Sequence, residues 1–249
     1  MVIKRIFDLI LSFFGIIIAL PIFIFIPILN ILSGSKVFFI QERIGKNHKP
    51  FKLIKFATMV ENAHIIGGTL IHPNDSRVTK VGAILRKTKI NEIPQLINVL
   101  KGDMSFVGPR PLPKKELSIY KQNFAKKIYT MKPGITGLGS LYFYNEEMLL
   151  PNDKEIAEAF FKRVIIPHKV ELELWYAEHR NFILDIKIFI ATLLLVFMPS
   201  HLILSYISKK LSGSKVKEKA NDIIKMQKDL MNKTNGKIEE KKILAKEEN

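Results

Sequence analysis

Apolar positions follow three unlike patterns along the chain. From Ile6 to Leu32 they are almost continuous, with Asp8 and Asn30 as polar interruptions. Such a run is long enough for a helix to enter a bilayer. Pro21 lies near its middle and Pro27 follows; a proline inside a helix removes a hydrogen bond and favours a bend. Basic residues flank both ends, Lys4 and Arg5 before the run and Lys36, Arg43, Lys46, Lys49, Lys52 and Lys55 after it. Both flanks therefore favour the cytoplasmic side. A helix that enters one leaflet, breaks at Pro21 and returns satisfies them; an ordinary kinked transmembrane helix is the alternative. Asp8 stands at helical spacing from Lys4 and Arg5, where it can pair with them near the interface. The run is too long for a signal peptide, and no small-x-small cleavage site precedes Ser33.

The second pattern is a succession of short periodic segments. Val37–Ile44 and Phe51–Met59 read as strands around the turn cluster Gly45–Pro50, which predicts a hairpin. Residues 60–74 are polar and read as a loop, and 75–86 lead into a short amphipathic helix. Ile90, Ile93, Leu96, Ile97 and Leu100 recur at helical spacing, placing one apolar face on a core. Asn91 suits the N-cap of that helix, Pro94 its first turn and Gly102 its end. Lys114–Lys127 reads as a basic amphipathic helix with Leu117, Ile119, Tyr120 and Phe124. Lys132–Gly137 reads as a rigid turn, with glycines too few and too oddly spaced for a phosphate-binding loop. Residues 156–178 carry a helical pattern broken around Pro167.

The third pattern is a second apolar stretch, Phe182 to Ile207. An interfacial helix, a membrane insertion and a buried helix would each produce it. The amphipathic start Leu184–Ile188 favours the interfacial helix, with Lys187, Lys209 and Lys210 near headgroups. From Ser212 to Asn249 the chain is rich in Lys, Glu and Asn, which predicts a solvated tail outside the core.

Composition narrows the partners. The 249 residues carry a formal charge of +16 with 47% hydrophobic residues. In so apolar a chain that excess suggests headgroups or phosphorylated substrates. Nucleic acid is disfavoured, because the aromatics sit in apolar runs and are not interleaved with the basic residues. Cysteine is absent, so disulfides, Cys-based zinc sites and thiol nucleophiles are excluded. The six histidines are scattered, with none paired at metal-ligand spacing.

The least generic stretch is Thr88–Leu112. It combines a carboxylate, Glu92, near a helix start with Arg110 on the proline-stiffened Gly108-Pro109-Arg110-Pro111. A cation held that rigidly suits phosphate. Arg77 and Arg86, in the basic region just upstream, are further candidates for anion binding. A core helix followed by a stiff turn would give the same spacing.

Several blocks closely resemble the bacterial sugar transferase family, the monotopic phosphoglycosyl transferases. They are Lys4-Arg-Ile-Phe-Asp8, Asp75-Ser-Arg-Val-Thr-Lys-Val-Gly82, Pro94 to Pro111, Lys132-Pro-Gly-Ile-Thr-Gly137 and Leu184-Asp-Ile-Lys187. The resemblance implies a mostly helical α/β fold: a re-entrant N-terminal membrane helix in residues 1–35, a small catalytic domain with membrane-surface amphipathic helices in 36–208, and a charged flexible tail in 209–249. It also implies a reaction at the cytoplasmic face of the bacterial inner membrane. A phosphosugar passes from a UDP-sugar to polyprenyl (undecaprenyl) phosphate with release of UMP and Mg2+ as cofactor, the first membrane step of surface-glycan synthesis. A homo-oligomer is compatible with it.

The family works through an adjacent Asp-Glu pair, a nucleophile and a metal ligand. Here the pair reads Asn91-Glu92. An amide is a poor nucleophile and a weak metal ligand. Two further departures are Ala57, where the family usually carries Lys or Arg, and Leu138–Tyr142, which lacks the usual Trp and Asn-Gly-Arg pattern. Two expectations follow. One is an enzyme with Glu92 as metal ligand and substitute nucleophile and with Arg77, Arg86 and Arg110 on phosphate. The other is a weak or inactive homologue that binds lipid phosphate or nucleotide sugar.

Overall fold

The apolar N-terminal stretch folds as two helices, α1 (Val2–Ile18) and α2 (Leu20–Leu32), which meet at Ala19 with a bend of 58°. Pro21 stands in the first turn of α2, where its missing N–H costs no hydrogen bond. The chain therefore breaks beside the proline singled out in the sequence. In this computed structural model, residues 2–63, 75–117, 122–151, 153–208, 216–218 and 220–226 are described. Among them no single helix is long and apolar enough to cross a membrane, whereas the bent α1–α2 pair has the length and composition together. Its outward side is apolar, with Phe13, Phe14, Ile24, Phe25 and Leu32 all exposed.

Asn30 fixes the end of α2. It is fully buried, and its Nδ2 donates to the carbonyl of Ala57 at 2.9 Å and to those of Lys36 and Val37 at 3.3 Å. The helix pair is thereby tied to a hairpin of β1 (Phe38–Ile44) and β2 (Pro50–Phe56), antiparallel from Phe38↔Phe56 to Ile44↔Pro50. The loop expected after β2 is described only to Ala63; residues 64–74 lie outside the described set. Helix α3 (Lys80–Lys87) follows, its N-cap Thr79 accepting from Gly82 N at 2.9 Å.

The central segment departs from its predicted form. Lys89 is left-handed (φ 58°), Ile90–Glu92 makes a single 3-10 turn, and α4 spans only Gln95–Lys101. Asn91 lies inside the turn, and Pro94 takes the N-cap place. Gly102 ends the helix at φ 90°, as predicted. The fully buried side of α4 is polar: Gln95 and Asn98 beside Val99. Asn98 acts as a strand edge, accepting from Ile54 N at 3.1 Å and donating to Lys52 O at 2.7 Å, so β2 gains partners on its open side. The apolar side of α4 meets α1 instead. A Cβ on Gly15 would stand 3.2 Å from Leu96, so the glycine admits that close approach.

Lys132–Gly137 is more than a turn. It contains β4 (Gly134–Thr136), which pairs in parallel with β3 (Ser105–Val107) through Ser105↔Gly134 and Val107↔Thr136. A Cβ on Gly108 would come within 2.4 Å of Lys132 O, so the two segments touch through bare backbone. The predicted basic helix between them appears as α5 (Lys114–Leu117) and α6 (Gln122–Ile128); residues 118–121, including Ile119 and Tyr120, lie outside the described set.

Helices α7 (Leu138–Tyr142), α8 (Lys154–Phe160), α9 (Ile166–His179), α10 (Phe182–Leu194) and α11 (Ser200–Ser208) complete the order. A π-turn at Phe161–Ile165 joins α8 to α9, and Pro167 sits in the first turn of α9. The main core gathers Val99, Met104, Leu138, Tyr142, Leu172, Tyr176, Ile188 and Leu204. Helix α10 buries Ile188 and Ala191 but exposes Ile183, Ile190 and Leu193, an amphipathic pattern. Val216, Ala220, Ile223 and Ile224 are buried in the same core. Part of the segment read as a solvated tail therefore packs, because these four sit on one face at helical spacing.

Candidate active site

The basic flank before the apolar run docks α1 on the rest of the chain. Lys4 Nζ meets Asp185 Oδ2 at 2.7 Å and donates to Val107 O at 2.7 Å. Arg5 donates to Val99 O at 2.6 Å and Leu100 O at 2.9 Å, satisfying carbonyls at the C-terminal end of α4. Asp8 does not make its expected ion pair with Lys4 or Arg5; it is buried and accepts from Phe106 N at 3.1 Å. Tyr176 donates to Asp185 at 2.6 Å, and Phe7 packs edge-on against Phe182 and Phe189 of α10. The partners lie far along the chain, so local spacing gave no sign of them.

A small cleft forms where three other segments meet. Arg43, Lys55, Glu92, Gln95 and Arg110 line it, with Leu53, Pro111 and Ile135 as its apolar wall. Lys55 comes from the end of β2, Glu92 from the 3-10 turn and Arg110 from the loop after β3. Lys55 Nζ donates to Glu92 Oε1 at 2.8 Å, and Gln95 Nε2 donates to Glu92 Oε2 at 2.9 Å. Burial disfavours the charge on Glu92, but the charges of Lys55 and Arg110 and the two hydrogen bonds outweigh it and hold the carboxyl at about 2. Burial also lowers Lys55, to about 8; Arg110 pushes the same way and Glu92 opposes. Lys89 is shifted down as well, chiefly by burial. It donates to Tyr144 O at 3.0 Å and lies 4.6 Å from the centre of the Tyr144 ring.

Glu92 and Arg110 thus come together as expected, while Arg77 and Arg86 are engaged elsewhere. Arg77 is buried and wraps Asp75, with Nη2–Oδ2 at 2.6 Å and Nε–Oδ1 at 2.9 Å, which fixes the turn before α3. Arg86 pairs with Glu147 and donates to Thr58 Oγ1 at 3.3 Å. Lys55 was not among the predicted site residues. Its place at the end of a strand preceding the Glu92 segment was the available signal. Glu173, buried on α9 beside Gly139, also escaped the sequence, because a Glu in a helical run looks like a solvated face.

The cleft has a surplus of cations around one ionised carboxylate, which suits a diphosphate. Among the described residues no group of three or more His, Asp or Glu forms an all-protein metal cage. A Mg2+ that shares substrate phosphates needs only one or two carboxylates. Glu92 supplies one, and the neighbouring Asn91 Oδ1 is buried with no hydrogen-bond partner among the described residues. The residues present therefore fit such an ion, with Glu92 as its charged ligand.

Residues 1–199 match the family model described as bacterial sugar transferase. The chain is 39% identical over 193 residues to the uncharacterized sugar transferase EpsL of Bacillus subtilis (strain 168), covering 77% of this chain and 86% of that protein. It is 38% identical over 151 residues to the undecaprenyl-phosphate galactose phosphotransferase of Salmonella typhimurium (strain LT2), covering 54% of this chain and 31% of the relative. It is 36% identical over 142 residues to the UDP-N-acetylgalactosamine-undecaprenyl-phosphate N-acetylgalactosaminephosphotransferase of Aeromonas hydrophila, covering 54% and 33%.

Proposed function

The chain belongs to the bacterial sugar transferase family, and we propose that it moves a phosphosugar from a UDP-sugar to polyprenyl phosphate at the cytoplasmic face of the membrane, releasing UMP. The observation that carries this reading is the cleft itself: an ionised Glu92 faced by Lys55 and Arg110 from separate segments. Undecaprenyl phosphate and a UDP-sugar are named for the relatives above, and the bent, outwardly apolar α1–α2 pair gives a re-entrant anchor that would keep the cleft near lipid headgroups.

The residues divide the work as follows. Arg110, with Lys55 and Lys89 nearby, balances the charge of the donor diphosphate. Glu92 is held on both oxygens by Lys55 and Gln95, which makes it an anchor more than a free nucleophile. Mg2+ bound at Glu92 would add positive charge at the diphosphate. Asn91 offers no carboxylate for a covalent phosphosugar intermediate. An oxygen of the lipid phosphate then attacks the sugar-bearing phosphorus directly, the bond from that phosphorus to the bridging oxygen breaks, and UMP leaves with the electron pair. Positioning and charge balance are the protein's main contributions to such a transfer.

Asn91 also favours a second reading, a homologue that binds lipid phosphate or nucleotide sugar without turnover. A UMP-release assay with Mg2+, polyprenyl phosphate and a panel of UDP-sugars separates the two. The transferase reading expects UMP from the native chain only when the lipid is present. UMP from Asn91→Asp alone, with none from the native chain, establishes the binding homologue.

A further inference from the structure

Phe39 stands on the cleft side of the hairpin. In the register of β1 and β2 it lies opposite Lys55, and Gln41 lies opposite Leu53. Side chains alternate along a strand, so Phe39, Gln41 and Arg43 share one face with Leu53 and Lys55. That face is a wall of the cleft, since Arg43, Leu53 and Lys55 all line it. The other face turns to the N-terminal helix pair: Phe38 stacks on Phe56 at 5.4 Å, and Phe56 meets Phe23 of α2 at 5.5 Å. Phe39 takes no part in that stack and is 46% exposed.

Two observations say what covers the ring. The first is its nearness to charge. Directly opposed residues of an antiparallel pair hold their Cβ atoms about 5 Å apart. An apolar surface therefore begins beside the lysine that pairs with Glu92. In a prenyl phosphate the hydrocarbon begins at the phosphate ester itself, whereas both sides of a UDP-sugar diphosphate carry hydroxylated rings. A bare phenyl ring at this place suits the lipid. The second is a route from the bilayer. Asn30 Nδ2 ties the end of α2 to Val37 O at 3.3 Å, two residues before Phe39. Ile31 and Leu32 beside it are exposed. Exposed apolar residues thus lead from the end of the helix pair to the cleft. We propose that Phe39 is the first apolar contact of the acceptor lipid: the prenyl chain leaves the bilayer beside the end of α2, crosses the Phe39 ring and brings its phosphate to the Lys55 side of the cleft. The inference rests on the lipid-phosphate reading of that cleft.

The test is binding of farnesyl phosphate, a short prenyl phosphate, to the full chain in detergent by calorimetry, with UDP and UDP-glucose as donor probes. Phe39→Ala, and Phe39→Gln, which keeps bulk without an apolar surface, are expected to weaken farnesyl phosphate about tenfold. Phe39→Leu should stay within about threefold, and both donor probes within about twofold in every variant. Ile40 is also exposed but lies on the opposite face, so Ile40→Ala should leave farnesyl phosphate unchanged. Undiminished farnesyl phosphate affinity, in whichever of the Ala and Gln variants folds, overturns the proposal. So does an equal loss in Ile40→Ala, or an equal loss of either donor probe, which would make Phe39 a brace of the cleft or a platform for the donor. A native chain that binds UDP but not farnesyl phosphate overturns the proposal and leaves the donor site standing. Farnesyl phosphate held through Phe39 with no UDP bound overturns only the transfer reaction, and a native chain that binds neither overturns both.

Discussion

At the root of α1, Lys4 meets Asp185 at 2.7 Å; in the cleft, Lys55 meets Glu92 at 2.8 Å. Both pairs are mostly buried, and each joins segments that are distant in sequence. Their surroundings differ. In the dock, two cations and two carboxylates share a closed set of partners: Lys4 with Asp185 and Val107, Arg5 with two carbonyls of α4, Asp8 with the Phe106 N–H. In the cleft, the single carboxylate of Glu92 faces Lys55 and Arg110, with Arg43 and Lys89 close by. The first arrangement ties Lys4, Arg5, Asp8 and Asp185 each to protein partners and works as a fastening. The second sets several cations around one carboxylate, and its lysine is lowered to about 8 chiefly by burial, with Arg110 adding to the shift and Glu92 opposing it. The same ion pair builds a joint where its environment is closed and a binding site where it is not.

The comparison predicts which property each pair controls. Lys4→Met leaves Asp185 buried without its cation and is expected to cost about 3–5 kcal/mol of stability, measured by denaturant unfolding in detergent. A change below about 1 kcal/mol would mean that the dock is not a structural joint. Lys55→Met also strands a buried carboxylate, Glu92, although Gln95 and the charge of Arg110 remain beside it; what sets it apart is the site, where UDP affinity should fall about tenfold with the loss of one charge-assisted contact. Unaltered affinity would remove Lys55 from the site.

The smallest expected effect is on pH dependence. Lys55 titrates at about 8, so UDP affinity should weaken severalfold as pH rises through that value. Lys55→Arg should flatten that profile. The stability side has the opposite sign. Between about 8 and 10.5 the unfolded lysine binds more protons than the native one, so the Lys55 contribution to stability rises with pH in that window. The carboxyl of Glu92 is depressed from 4.5 to about 2, so its contribution is present above 4.5 and is lost as pH falls toward 2.

What was legible in the sequence was local. The hairpin, the break beside Pro21, the left-handed end at Gly102 and the gathering of Glu92 with Arg110 all follow from neighbouring residues. What was missed depends on long-range partners. Lys4 and Arg5 read as the basic flank of the apolar run and as partners for Asp8, because Asp185 and the carbonyls of α4 are invisible from their position. Asn98 stands in the helical stretch with nothing to single it out, yet it substitutes for a strand beside β2. Asn91 read as an N-cap, but the left-handed Lys89 and the tight turn after it delay α4 to Gln95. The tail is a different case: the spacing of Val216, Ala220, Ile223 and Ile224 was there to be read, and the surrounding charge hid it.

The most direct measurement follows labelled β-phosphate from a UDP-sugar into polyprenyl phosphate, with the native chain, Glu92→Gln and Arg110→Ala side by side. The account predicts labelled lipid from the native chain and a loss of at least about a hundredfold in both variants, as expected when charge stabilisation at the transferring phosphate is removed. Labelled lipid at undiminished rates from both variants, or none from the native chain with any sugar, would contradict it.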